Sequence, residues 1–272
     1  GRNQQQLMEI IGYFTALLIG ISLGLIGGGG SILTIPVLVY LFALDPLSAT
    51  GYSLFIVGFS SLAGAIMKYR QNEVDTRAAG YFGLTSIITV LLVRKFILPA
   101  IPDHLLTIGN LNITKSLATL FLFAIIMIIS SIHMIGKNPK NNSSLKKPVS
   151  ASGALIRGVE VGILTGFIGA GGGFVIIPVL IFSFQLPMKT AIGTSLLIIA
   201  ANSLFGFAGD LLSSYSFDWL LLGKITAISC AGIFIGDRLS NHISGNRLKK
   251  GFGFFVLSVG CYIILHEIFK AF

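Results

Sequence analysis

Gly24-Leu-Ile-Gly27-Gly-Gly-Gly30-Ser-Ile-Leu-Thr-Ile-Pro36 recurs 142 positions further on as Gly166-Phe-Ile-Gly169-Ala-Gly-Gly172-Gly-Phe-Val-Ile-Ile-Pro178. The correspondence runs without a gap from residues 20–64 to residues 162–206, and 21 of these 45 paired positions are identical, which marks an internal duplication. Each copy sets a run of glycines inside a long apolar stretch. Paired interruptions of this kind point to a substrate site within a membrane, because non-helical backbone at bilayer depth persists only where protein buries it or water reaches it.

The rest of the composition agrees with a membrane setting. Of the 272 residues 54% are hydrophobic and 11% charged, and the mean hydropathy is +0.88; an ordinary soluble domain carries about 25% charged residues. The apolar blocks are of the length that a helix rising about 1.5 Å per residue needs to cross a hydrocarbon core of about 30 Å. The period-two alternation of a β-barrel is absent. A net charge of +9 would suggest nucleic acid in a soluble chain, but here the basic residues collect in short connections and read as topology signals, so no nucleic-acid partner is expected. The N-terminal segment does not read as a cleavable leader. Cys230 and Cys261 stand singly in apolar blocks, so neither a disulfide framework nor a metal site is implied and both are expected to be buried packing residues.

Residues 7–44 form one apolar run broken at Gly27–Gly30. The fourteen residues after the break, Ser31 to Leu44, rise only about 21 Å, too little to span. They are expected to return toward the side from which the first helix came, giving a helical hairpin with its glycine tip inside the membrane. Spanning helices are predicted at 46–68, 77–99 and 113–135. In the second half, 153–169 and 174–186 form the matching hairpin, followed by spans at 188–209, 217–236 and 251–270. The expected fold is therefore all-α and polytopic: two inverted repeats (1–135 and 152–272), each a re-entrant-like hairpin plus three transmembrane helices, joined by a polar cytoplasmic linker at 136–151. Placing the 68–77 connection, the linker and the 237–250 connection in the cytoplasm puts 13 of the 19 basic residues there, Lys68 and Arg238 among them. The connection equivalent to 68–77, residues 210–218, carries two acids and no base, as inversion requires.

Hairpins entering from opposite sides would bring the starts of the two short helices together near the midplane. Each start carries about half a positive charge and up to four unpaired N–H donors, a setting for a small anion. Gly28, Gly29, Gly30 and Ser31 of the first tip, and Gly171, Gly172 and Gly173 of the second, are thus candidate substrate-binding residues. Gly20, Gly24 and Gly27, with Gly162, Gly166 and Gly169, read instead as small-residue packing ridges. A second repeated element, Ala49-Thr50-Gly51-Tyr52-Ser53-Leu54 and Ala191-Ile192-Gly193-Thr194-Ser195-Leu196, adds Ser53, Thr194 and Ser195 as hydroxyls able to bond an oxyanion. The competing role for such hydroxyls is a back-bond to their own helix. Ser60 and its partner Asn202 lie two turns further on, and a buried amide such as Asn202 must find partners. Pro36 and Pro178 mark a kink or gate in the short helices. Glu160, three residues after Arg157, is the acid placed deepest and a candidate for ion coupling, with a simple ion pair as its alternative.

Two copies of G-x-x-G-x-G-G-G-x-x-x-x-P, each followed by A-x-G-x-S-L, resemble the TauE/SafE sulfite exporter family over essentially the whole chain. The resemblance implies a multi-pass protein of the bacterial or archaeal inner membrane that moves small sulfur-containing anions such as sulfite, sulfoacetate or related organosulfonates, usually outward, without a cofactor. The first copy carries Gly28 where the second has Ala170, Ser31 where it has Gly173, and Tyr52 where it has Thr194. The reading is a secondary transporter working by alternating access around the two tips. An anion channel is an alternative, since pores use the same half-helix dipoles; a membrane-embedded sulfur-transfer enzyme is another. Assembly into a homo-oligomer stays open. Gly20-Ile-Ser22-Leu-Gly24 fits the G-x-S-x-G elbow of hydrolases but lies within an apolar helix, and no Walker A motif is present, so the chain is not read as an enzyme.

Overall fold

The structure, a computed structural model, describes residues 2–28, 34, 37–38, 41–42, 44, 46–97, 100–102, 104–108, 111–114, 124–125, 128–129, 131–132, 134–136, 151–168, 173–211 and 217–271. These residues are overwhelmingly helical, as a chain in lipid must be to satisfy its backbone groups internally. Helix α1 (Arg2–Ile26) ends where Gly27 turns to φ +75 and returns its N–H to the Leu23 carbonyl at 2.7 Å, a left-handed stop that suits glycine. Helix α2 (Pro46–Arg70) opens on proline, whose missing N–H costs nothing in a first turn. It closes through Asn72 at φ 57, with the Glu73 N–H bonded back to the Lys68 carbonyl at 2.9 Å.

Helix α3 (Thr76–Ile97) is capped by the Asp75 carboxylate, which accepts from the N–H groups of Arg77 at 3.0 Å and Ala78 at 2.9 Å, and it contains two π-helical turns, Ala79–Gly83 and Val93–Ile97. The second half supplies α4 (Ala151–Ile168), α5 (Gly173–Phe182), α6 (Met188–Leu211), α7 (Trp219–Asn241) and α8 (Gly245–Ala271). Asp218 caps α7 as Asp75 caps α3, accepting from Leu220 and Leu221 at 3.0 and 3.1 Å.

Four of these helices are long and apolar enough to cross a membrane, and their burial sorts them into layers. The spans of α2 and α6 are 67% and 72% buried, those of α3 and α7 only 29% and 33%, so α2 and α6 form the centre and α3 and α7 the flanks. Phe14, Phe59, Ile88, Phe96, Leu220 and Phe254 point outward, which in a bilayer faces them to lipid. Helices α2 and α6 run antiparallel: a Cβ on Gly58 would lie 3.0 Å from Leu204 Cγ, and one on Gly64 3.1 Å from Leu196 Cδ1.

Glycines set the remaining approaches. α1 lies along α7 with Gly20 and Gly24 facing Gly232 and Gly236, so that a Cβ on Gly24 would sit 3.0 Å from Gly236 Cα. α4 lies along α3, where a Cβ on Gly162 would sit 2.6 Å from Thr89 Cβ. The ridge reading thus fits Gly20, Gly24 and Gly162. It fails for Gly27, which ends α1 at positive φ and so belongs to the break. Gly20→Val is expected to force α1 off α7, at about 1–3 kcal/mol for overpacking or more, seen as a lower melting temperature in detergent; an unchanged value would deny this contact.

Several expected boundaries shift. Ile113 and Thr114 do not open a spanning helix, because β1 (His104–Ile108) and β2 (Leu111–Thr114) pair as an antiparallel hairpin with Ile108 opposite Leu111. The intervening pair, Gly109-Asn110, is of the kind two-residue hairpin loops use. Residues 124–125, 128–129, 131–132 and 134–135 are helical. The 237–250 connection contracts to 242–244, since α7 runs to Asn241 and α8 starts at Gly245. Cys261 is exposed on the outside of α8 and Cys230 only partly buried; the apolar surroundings that suggested burial are lipid-facing helix.

Candidate functional site

The two tips meet. Gly28, just past the end of α1, lies against Gly173, the first residue of α5, so closely that a Cβ on either would collide with the backbone of the other. A Cβ on the neighbouring Gly27 would fall 2.8 Å from Ser195 Oγ. Three of the sequence candidates, Gly28, Gly173 and Ser195, are therefore brought together at one point between α1, α5 and α6. Gly29, Gly30, Ser31 and Pro36 of the first tip, and Gly171 and Gly172 of the second, lie outside the described residues. Pro178 is buried inside α5, where it leaves the carbonyl of Phe174 without its usual helical donor.

The hydroxyls divide by partner. Ser195, fully buried, donates to the Ile192 carbonyl at 2.8 Å, and its Oγ lies beside Gly27. Ser53, its counterpart, is also buried. Thr194 is turned to the opposite half: its Oγ1 accepts from the Asp75 N–H at 2.9 Å. Tyr52, the residue equivalent to Thr194, does the same in reverse, its hydroxyl accepting from the Asp218 N–H at 2.5 Å. Asn202 donates to Ser86 Oγ at 3.4 Å, while Ser60, its counterpart, accepts from the Cys230 thiol at 3.9 Å.

Among the described residues, Asn202 Oδ1 and the hydroxyls of Ser61 on α2 and Ser203 on α6 are buried with no hydrogen-bond partner. Ser61 and Ser203 are equivalent positions of the duplication, and sequence reading passed over both because a serine in an apolar helix carries no spacing signal. Each such group costs about 1–3 kcal/mol if nothing bonds it, so each favours water or a polar guest.

The ends of the bundle differ. At the Tyr52 end, aromatic rings close it: Tyr52 on Phe217 at 5.4 Å, Phe55 on Phe207 at 5.0 Å, and Phe217 on Trp219 at 6.1 Å between ring centroids. At the Thr194 end, charges do so. Lys68, expected at the junction of the 46–68 span and a cytoplasmic connection, lies in the last turn of α2 and is 1% exposed. Its Nζ lies 2.6 Å from Glu73 Oε2 and 2.8 Å from Asp237 Oδ1, and it also donates to Gln71 Oε1 at 3.3 Å and Ser240 Oγ at 3.5 Å. Gln71 Nε2 donates to Asp237 Oδ2 at 2.8 Å. A lysine in the last turn of an apolar block, with an acid five residues on, was the available sequence signal.

Glu160 pairs with Arg157 at 2.7 Å, but both side chains are about half exposed. Exposed pairs are worth about 0–1 kcal/mol, so Glu160→Gln is expected to leave stability and anion affinity within twofold of wild type. A larger loss of affinity on calorimetry would return this acid to the mechanism.

A family model, sulfite exporter TauE/SafE, matches residues 13–263. The chain belongs to the TauE/SafE family. Members of this family are multi-pass membrane transporters rather than enzymes, and the polytopic helical fold agrees. Among curated relatives of this TauE/SafE chain, a probable membrane transporter protein of Xylella fastidiosa (strain 9a5c) is 29% identical over 259 residues, which cover 91% of each chain. The probable membrane transporter protein YdhB of Bacillus subtilis (strain 168) is 30% identical over 237 residues, 86% of this chain and 91% of its own. The probable membrane transporter protein MJ0441 of Methanocaldococcus jannaschii is 34% identical over 115 residues, 40% of this chain and 43% of its own. No solved structure matches.

Proposed function

We propose that this membrane transporter carries a small sulfur-containing anion, sulfite or an organosulfonate, outward across the cell membrane by alternating access around the two glycine tips. The observation that carries the reading is the contact of Gly28 with Gly173 at the start of α5. The first-turn N–H groups of a helix have no partner within it, and with the helix dipole they present about half a positive charge to an anion. Two glycines let backbone approach a guest where any side chain would block it. Ser195 lies beside Gly27, and the buried polar atoms of Ser61, Asn202 and Ser203 on the two central helices are further neutral groups able to bond oxygen atoms.

The inverted relation of the two halves is part of this proposal, and crosswise contacts support it. Tyr52 bonds to the cap of α7 and Thr194 to the cap of α3; α1 packs on α7 and α4 on α3. Tyr52 and Thr194 are 142 residues apart, the length of the repeat, and the caps they bond, Asp218 and Asp75, are 143 apart, as an approximate twofold axis in the membrane plane would give. Closure at one end by aromatic rings and at the other by ion pairs favours a carrier over an open channel.

The test is binding of sulfite, sulfoacetate, thiosulfate, sulfate and acetate to purified protein by thermal shift, with calorimetry on each hit. A sulfur oxyanion or sulfonate that raises the melting temperature more than acetate supports the reading. No stabilisation by any of the five contradicts it.

A further inference from the structure

The geometry points to Lys68, Glu73 and Asp237 as the place where the transporter takes up a proton when it binds its anion, an inference that rests on the glycine-tip reading above. Its first ground is charge. One ammonium stands between two carboxylates, at 2.6 and 2.8 Å, which leaves an excess negative charge in a cluster whose lysine is almost wholly buried. An uncompensated charge out of water is costly, and a proton is the smallest cation that cancels it. The second ground is access: the Glu73 side chain is 21% exposed and that of Asp237 6%, so a proton can reach the cluster from water through Glu73.

The third ground is position. Gly24, one turn before the break at Gly27, packs on the backbone of Asp237, where its Cβ would lie 2.8 Å from the Asp237 nitrogen. On α6, Gly193 packs on the Glu73 carbonyl, and Ser195 two residues on abuts Gly27. The cluster thus lies directly behind the first tip along both helices. An anion at the tips adds a second negative charge nearby, and a proton taken from solvent cancels one of the two; by linkage each binding favours the other by the same factor. Of the other ionisable groups at these helix ends, Arg70, Arg77, Arg238 and His242 are exposed and Lys189 is partly buried, while the Asp75 carboxylate caps α3. α1 presents no charged residue between Ile11 and Ile26.

Calorimetry in two buffers of different ionisation enthalpy counts protons taken up per anion bound. Thiosulfate and methanesulfonate are suitable probes because neither titrates near about pH 7. Wild type is expected to take up a measurable fraction of a proton, at most one, per anion bound. Glu73→Gln and Asp237→Asn each remove the excess charge of the cluster and are expected to lower the count toward zero. A network that only holds helices together would change melting temperatures in these variants and leave wild type taking up none. Binding without proton uptake in wild type, or uptake that persists undiminished in both variants, overturns the coupling and leaves the anion site standing. No binding heat from either probe overturns the anion site and the coupling with it. If neither variant folds, the wild-type count decides alone.

Discussion

Gly173→Ala is expected to weaken anion binding at least tenfold in a protein that still inserts in the membrane. The added methyl meets Gly28 backbone on one side and Ile199 Cδ1, 2.5 Å away, on the other. The isoleucine end can turn aside, but the Gly28 backbone can do so only by moving the tip. Overpacking of this kind costs about 1–3 kcal/mol, and the displacement withdraws the start of α5 from the place where α1 ends. Since a tenfold loss of affinity corresponds to about 1.4 kcal/mol, calorimetry should record a dissociation constant at least tenfold weaker than wild type. Gly28→Ala meets the Gly173 backbone in the same way and should match it. Unaltered affinity in both variants would remove the tips from the site.

The second large effect belongs to Lys68→Ala. It strips the cation from Glu73 and Asp237 and leaves two carboxylates without it, Asp237 keeping the hydrogen bond from Gln71 Nε2. Breaking a buried pair from one side typically costs about 3–5 kcal/mol, because the remaining charge has no compensation. A substantial drop in melting temperature is therefore expected, together with partial recovery in the double variant Lys68→Ala, Asp237→Asn. The deficit should shrink as pH falls, since a protonated carboxyl group does not need the missing ammonium. A Lys68→Ala protein as stable as wild type would show that the cluster is solvated in the membrane-embedded state.

Much of this architecture can be read from apolar block length, because a helix in lipid has few alternatives; the spans at Pro46–Arg70 and Met188–Leu211 fall within two residues of their predicted ends. The duplication puts a glycine run at the same point in both halves, which is why Gly28 and Gly173 stand out in the sequence, while the expected approach of Ser31 to Gly173 lies outside the described residues. What stayed hidden depends on contacts between distant parts of the chain. Nothing near Lys68 announces Asp237, and basic residues near span ends usually mean topology rather than buried pairs. Gly27 looked like one more ridge glycine because spacing alone does not reveal a positive φ. The hairpin of His104–Ile108 and Leu111–Thr114 escaped because it falls almost wholly in the connection between two predicted spans, where strands of five and four residues are too short for a period-two pattern to stand out.

Counterflow in proteoliposomes tests the central claim most directly. Vesicles loaded with unlabelled sulfite are given a trace of labelled sulfite outside, and label entry is followed with wild type and with Gly173→Ala. A carrier with one anion site exposed alternately to each face predicts that internal sulfite accelerates label entry and concentrates it transiently inside, and that Gly173→Ala does neither. Entry of label at the same rate with or without internal sulfite would contradict it.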